Sequence, residues 1–255
     1  MGWQDRFSLK GRKALITGAS KGIGAEIAAV FAEAGADIVA LGRDAADLEA
    51  TAGAVRAQGR RCLTLVAEMA SPTEPVAACQ KALEQWGTID ILVNSAGIAN
   101  VAPAVDFPTE DWDRMMAVNL RAPFLTARTL APAMIAQRWG KVINISSQTG
   151  VIALDDHAAY ASSKGGLNAL TKSLCAEWAR FNVQVNAICP TVVMTPMGKQ
   201  VWGKPEKGDP FRNATPARRF AEPTEVADAA LYLASDASAM VNGALLMVEG
   251  GFTSV

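Results

Sequence analysis

A doubly wound α/β fold, a parallel sheet covered by helices on both faces, is predicted by three observations in this sequence. Short β-rich runs alternate with Ala-rich helical stretches from Lys13 to Asn186. The β-rich runs are nearly continuous in apolar residues, as strands buried on both faces are. A glycine-rich turn joins the first strand to the first helix. The strand candidates are KALITG from Lys13, ADIVALG from Ala36, RCLTLVAE from Arg61, IDILVNSAG from Ile89, KVINISS from Lys141 and VQVNAICP from Val183. A short strand, ALLMVEGG, closes the chain after the helical stretch PTEVADAALYLASD. The first helix, GIGAEIAAVFAEAGA, places apolar residues three and four apart, the spacing of a core-facing stripe. Alternation of this kind builds a parallel sheet with right-handed crossovers. No repeat, linker or composition shift divides the 255 residues, so one domain is expected.

Composition narrows the classes of function. A net charge of -1 with no block of Lys or Arg argues against nucleic acid as the main ligand. No apolar run reaches the ~18–20 residues of a membrane span, and the N-terminal stretch lacks an apolar signal region. Four cysteines without paired spacing read as reduced thiols of a cytoplasmic protein, and one histidine with no C-x-x-C makes a protein-built metal site unexpected. One segment, Thr191 to Phe220, is rich in Pro, Gly and charge and too long for an ordinary connection. With Trp202 and Phe211 to pack over a ligand, it is expected to act as a lid.

The turn TGASKGIG carries Gly18, Gly22 and Gly24. Glycine there permits a tight turn, close approach of a pyrophosphate and close packing of helix on strand. The helix N-terminus presents unpaired N–H groups and partial positive charge to phosphates. No Lys-Ser/Thr pair follows, which excludes a P-loop. A dinucleotide site is therefore expected. Its adenosine specificity is read at the end of the second strand, where an Asp or Glu selects the free ribose of NAD. VALGRDAADL places Gly42 there and Arg43 next to it. A guanidinium suits a 2′-phosphate, and Lys21 assists, so NADP(H) is the expected cofactor.

Tyr160 and Lys164, one helical turn apart, share a face and reach a common ligand. A neighbouring ammonium and the charge of an oxidised nicotinamide both favour phenolate, so a phenol pKa below ~10 is expected. A tyrosine tuned in this way transfers a proton to or from a carbonyl or alcohol oxygen. Ser147 stands thirteen residues earlier at the C-terminal end of a strand, where open parallel sheets bind ligands. NSAG, Asn94 to Gly97, ends another strand, and Asn119 lies inside a following helix.

With TGASKGIG, NSAG, Asn119, Ser147 and Tyr160-x-x-x-Lys164 in this order, the chain resembles a short-chain dehydrogenase/reductase, a Rossmann-type fold, from its first strand to MVEGGF. The resemblance implies Tyr160 as general acid/base and Lys164 as the ribose-binding partner that lowers its pKa. It gives Ser147 the substrate oxygen and Asn119 a water linking Lys164 to solvent. It implies cofactor contacts from Gly18, Ser20, Lys21, Gly22, Ile23, Gly24, Arg43, Glu68, Met69, Asn94, Ala96, Gly97, Tyr160, Lys164, Pro190, Val193 and Thr195. Glu68-Met69 replaces the family's usual Asp-hydrophobe contact to adenine, Ser95 a second Asn, and Thr191 a Gly.

NAICPTVVMTPMGKQVW, SSQTG with DDHAAY, VALGRDAADL and VEGGF are similar to the L-xylulose/dicarbonyl reductase branch. By that similarity Ser147, Gln148, His157, Tyr160 and Trp202 line the substrate pocket; for His157 a plain helix-start role is the alternative. The activity implied is NADP(H)-dependent interconversion of a secondary alcohol and a ketone on a small polyol, ketose or dicarbonyl. A 3-oxoacyl thioester reductase and a catalytically silent NADP-binding scaffold are the alternatives. WDRMMAVNLRAPFLTARTLAPAMIAQ is apolar on more than one face, which calls for a partner helix, and the resemblance suggests a homotetramer.

Overall fold

The computed structural model describes residues 2–255. In chain order the main elements are α1 (Trp3–Phe7), β1 (Lys13–Thr17), α2 (Gly22–Glu33), β2 (Asp37–Gly42), α3 (Ala45–Ala57), β3 (Cys62–Val66), α4 (Glu74–Trp86) and β4 (Ile91–Asn94). They continue with α5 (Thr109–Met116), α6 (Ala122–Gln137), β5 (Gly140–Ile145), α7 (Ala158–Trp178), β6 (Val183–Pro190), α8 (Pro196–Trp202), α9 (Pro205–Ala214), α10 (Pro223–Ala234) and β7 (Leu245–Val248). The strands form one sheet in the order β3-β2-β1-β4-β5-β6-β7, every pair parallel.

Side-chain alternation divides the strands between two cores. Ala14 and Ile16 of β1, with Ile38 and Ala40 of β2, face one layer, closed by Ile27 and Phe31 of α2, Leu48 of α3 and Val226 and Leu233 of α10. Leu15, Val39 and Leu41 face the other, closed by Cys79 of α4, Leu130 and Met134 of α6 and Leu174 of α7. Leu15, Ile16 and Phe31 are fully buried, each contributing ~1.5–3 kcal/mol of transfer free energy. This two-sided burial is why the strands read as continuous apolar runs.

The register places the strand ends where ligands gather. Thr17 pairs with Asn94, and Asn94 with Asn144, so β1, β4 and β5 finish level. From β1 the chain winds outward to β2 and β3, then returns to β4 on the other side. That reversal opens a crevice at the C-terminal ends of β1 and β4.

Two expectations change, and a third segment gains internal structure. The run IDILVNSAG gives a strand only over Ile91–Asn94, because the Thr17 hydroxyl accepts from the Ser95 and Ala96 N–H groups, both at 3.1 Å, and draws NSAG out of the ladder. Asn119 is not in regular α-helix. Residues Ala117–Arg121 form a π turn between α5 and α6, where the Ala122 N–H bonds the Ala117 carbonyl five residues back. The segment Thr191 to Phe220 contains α8 and α9. Pro196 and Pro205 sit in their first turns, and the Thr195 hydroxyl caps α8 by accepting from the Gly198 N–H at 3.1 Å. Its aromatics pack together and onto the C-terminus: Phe211 lies 5.0 Å from Trp202 and stacks on Phe252 at 4.8 Å. Among the described residues, no helix is long and apolar enough to cross a membrane.

Candidate active site

The floor of the crevice is backbone. Gly18 has φ +68°, a left-handed conformation that side chains disfavour, and a Cβ there would lie 2.8 Å from the Ala96 Cα and N. A Cβ at Gly24 would come within 2.3 Å of the Gly18 carbonyl oxygen. The turn, the NSAG loop and the start of α2 are therefore in direct contact, and side chains would separate them. Lys21 precedes α2 without a side-chain cap, so the first N–H groups of the helix stay free for an anion. Thr195, from the loop after β6, closes over Gly22. Ile23 is half-buried against the first core, Val193 is buried in it, and Pro190 ends β6 opposite Val248. Such a cradle fits a dinucleotide pyrophosphate.

At the adenosine end, Gly42 occupies the position of the family's acid and is closely fitted. A Cβ there would lie 3.4 Å from the Ser20 Oγ and 3.3 Å from Leu48. Asp44 is no substitute, because its carboxylate caps α3, accepting from the Ala46 and Asp47 N–H groups at 3.0 Å. Arg43 is exposed and lies 3.4 Å from Glu68; Lys21 lies 3.9 Å from Asp47. Met69 is buried in the second core, so its side chain serves packing. Asn94 is likewise a cross-link: its amide donates to Asn144 at 2.9 Å and accepts from Thr126 at 2.7 Å, leaving the backbone to meet a cofactor.

The π turn gives Asn119 its position. Fully buried, its amide accepts from the Ile98 N–H and donates to the Ile98 carbonyl, both at 2.9 Å, and also donates to Ser163 on α7 at 3.1 Å. It thereby clamps the loop after NSAG to α7. A Cβ at Gly97 would stand 3.4 Å from the Asn119 Oδ1 and 3.7 Å from the Lys164 Nζ, so Gly97, Asn119 and Lys164 converge.

Ser147 follows β5 and caps a short turn, Gln148–Gly150. Its oxygen accepts from the Thr149 N–H at 3.2 Å and hydroxyl at 2.9 Å, which leaves its own proton to donate. Gln148 is buried, and its amide oxygen has no hydrogen-bond partner. Tyr160 and Lys164 share one face of α7, the Nζ 5.6 Å from the ring centre. That ammonium donates to the Ile145 carbonyl at 2.8 Å and is almost wholly buried. His157 stands at the start of α7, its ring edge-on to Tyr160 at 6.3 Å and its Nδ1 2.5 Å from the Asp155 carbonyl oxygen. Trp202 lies half-buried in the aromatic cluster with Phe211 and Phe220, with Lys207 over its ring.

The expected lowering of the Tyr160 pKa is not supplied by the protein alone. Tyr160 keeps part of its surface exposed, yet the protein packed round its phenol raises the pKa above the ordinary value; the Ser147 hydroxyl works the other way. Burial also pushes Lys164 down to about 8. The physical reason is desolvation: it disfavours both charged forms, and the ammonium spends itself on a backbone carbonyl.

Asn168 was not anticipated. It lies eight residues after Tyr160 on the same helix face, a spacing visible in the sequence. Its amide accepts from the Ser146 hydroxyl at 2.7 Å and donates to the Gly150 carbonyl at 3.1 Å. It ties the turn carrying Ser147 and Gln148 to α7. Thr17, which shapes NSAG, was missed because its partners lie 78 and 79 residues away.

Comparison with known proteins accords with this geometry. The profile of the family described as enoyl-(acyl carrier protein) reductase matches residues 18–253. The chain is 42% identical to D-threitol dehydrogenase of Mycolicibacterium smegmatis, covering 97% of this chain and 95% of that protein. It is 39% identical to NAD-dependent glycerol dehydrogenase of Listeria innocua, covering 99% and 98%. L-xylulose reductase of Bos taurus is 38% identical, covering 96% and 97%. A crystal structure of a gluconate 5-dehydrogenase from Burkholderia cenocepacia, in complex with NADP and tartrate, superimposes with TM-score 0.95 at 40% identity, over 100% of both chains. A nucleotide cradle, a Ser–Tyr–Lys cluster at the strand ends and full-length relatives of this kind lead to one conclusion: the chain belongs to the short-chain dehydrogenase/reductase family and is an oxidoreductase of CH–OH groups.

Proposed function

We propose that this protein interconverts a secondary alcohol and a ketone on a small polyol, ketose or dicarbonyl, with NADP(H). The unpartnered amide oxygen of Gln148, buried one residue from Ser147, carries the polyol and ketose members of this class; a dicarbonyl, with no hydroxyl to donate, rests on the motif resemblance alone. A buried acceptor without a donor costs ~1–3 kcal/mol, and a second substrate hydroxyl next to the reacting carbon would satisfy it. The acyl tail of a 3-oxoacyl thioester has no hydroxyl to offer there.

A nicotinamide bound in the crevice would supply or take up hydride at the substrate carbon. The protein's own groups handle the oxygen. Ser147 donates its free proton to it, and Tyr160 gives or takes the proton that balances the charge. Lys164, held by the Ile145 carbonyl, reaches the ribose side of the site and supplies positive charge. Asn119 and Asn168 act on position, each fixing a loop to α7. NADP(H) rests on Arg43 beside Gly42 and on Asp44 being engaged in capping α3.

The deciding experiment is a panel of polyols, ketoses, α-dicarbonyls and a 3-oxoacyl thioester, each with NADP(H) and NAD(H). The expected result is the highest kcat/KM with a hydroxyl-bearing or dicarbonyl substrate and NADP(H). Turnover confined to the thioester, or none at all, overturns the reading. The chain also assembles with copies of itself as a homotetramer. Met116, Leu120, Phe124 and Leu170 line an apolar groove across α5, α6 and α7, rimmed by Asp113 and Arg121, and Phe124 is 39% exposed. Sedimentation should give four chain masses; a monomer would refute this.

A further inference from the structure

Resting on the assignment of Arg43 to the 2′-phosphate, we propose that Glu68 opposes Arg43 and keeps the preference for NADP over NAD small. Strand register creates the pair. Gly42 faces Val66 at the ends of β2 and β3, and the Ala67 N–H bonds the Gly42 carbonyl, so Arg43, one residue beyond β2, and Glu68, two beyond β3, meet. The Glu68 carboxylate is the anchored partner. One oxygen accepts from the Ala70 N–H at 3.0 Å, and the other lies 3.4 Å from the Arg43 Nη1. Arg43 is the more exposed, with 57% of its side-chain surface open against 39% for Glu68. Burial raises the Glu68 carboxyl, but the Ala70 N–H, Arg43 and Arg114 together hold it below its usual value, so it is charged at neutral pH.

The surrounding charges do not favour a dianion. Lys21 is matched by Asp47, Arg43 by Glu68, and Asp44 adds a carboxylate at the N-cap of α3. Glu74 adds a further carboxylate, accepting from the Glu68 N–H at 2.8 Å, with Arg114 opposite. A 2′-phosphate on Arg43 must share the guanidinium with Glu68 and bear its repulsion. A free ribose hydroxyl bears neither cost. Glu68 thus penalises one cofactor selectively.

The test is calorimetric binding of adenosine 2′,5′-bisphosphate and adenosine 5′-monophosphate, with kcat/KM for both cofactors measured alongside. Both side chains are exposed, so the variants should fold. Glu68→Gln should raise the bisphosphate-to-monophosphate affinity ratio roughly two- to fivefold, the scale of an exposed charge pair. The gain should shrink with added salt, and Glu68→Asp should keep the wild-type ratio. In an Arg43→Ala background Glu68→Gln should gain much less. Equal weakening of both nucleotides would make Glu68 an adenine contact only, and weaker bisphosphate binding would make it a mere orienter of Arg43; either overturns the proposal. If Arg43→Ala alone leaves the ratio unchanged, the NADP assignment itself fails.

Discussion

Tyr160→Phe is expected to lower kcat on the order of 10²–10⁴-fold while leaving cofactor affinity nearly intact, since the change removes only the proton-transferring hydroxyl. The surroundings leave no substitute. Ser147 has one proton and is held by Thr149, Lys164 is committed to the Ile145 carbonyl, and His157 holds its ring edge-on 6.3 Å away. On the proposed mechanism alcohol oxidation requires the phenolate, and burial raises the phenol's pKa. The kcat/KM for oxidation, which reports the free enzyme, should therefore keep rising with pH through the neutral range; that for reduction should hold there and fall at higher pH. Lys164 is charged below about 8 and loses its charge above it, so its support of the phenolate is greatest on the acid side. Lys164→Met should shift the oxidation profile to higher pH and weaken cofactor binding. The double variant should be little worse than Tyr160→Phe, because groups acting on one proton are not additive. Near-normal turnover in Tyr160→Phe would remove the phenol from the mechanism.

Gly24→Ala should abolish measurable nucleotide binding and destabilise the fold. Its Cβ would sit 2.3 Å from the Gly18 oxygen, 2.7 Å from the Gly18 carbon and 3.1 Å from the Ala19 nitrogen. All are backbone atoms, so no side chain can swing aside, and α2 must move off β1. Overpacking of this kind costs ~1–3 kcal/mol, or several degrees of Tm at about 2–4 °C per kcal/mol. Gly53→Ala is the control. It lies within α3 with nothing within 4 Å of its Cβ, and should stabilise by about 0.5–1 kcal/mol without touching the cofactor. Calorimetric titration with nucleotide and a thermal melt decide both. A Gly24→Ala protein that binds normally would refute the cradle.

Local chemistry determined much of this protein in advance. The two-faced burial of β1 and β2 is written as unbroken apolar runs. The glycine turn is written as Gly18, Gly22 and Gly24 between a strand and a helix, and Tyr160 with Lys164 as a one-turn pair. Each of those signals lies within one or two elements, where backbone sterics and periodicity act. What only the tertiary structure decided joins residues distant in sequence. Register brings Arg43 to Glu68, 25 residues away, and Thr17 to Ser95, 78 residues away. The π turn that aims Asn119 at Ile98 adds one residue to a helical repeat, a shift that apolar spacing over a few residues does not register. The protein alone raises the Tyr160 pKa, where Lys164 taken by itself would lower it, because desolvation sums over every neighbouring atom, and that sum exists only once the chain has packed.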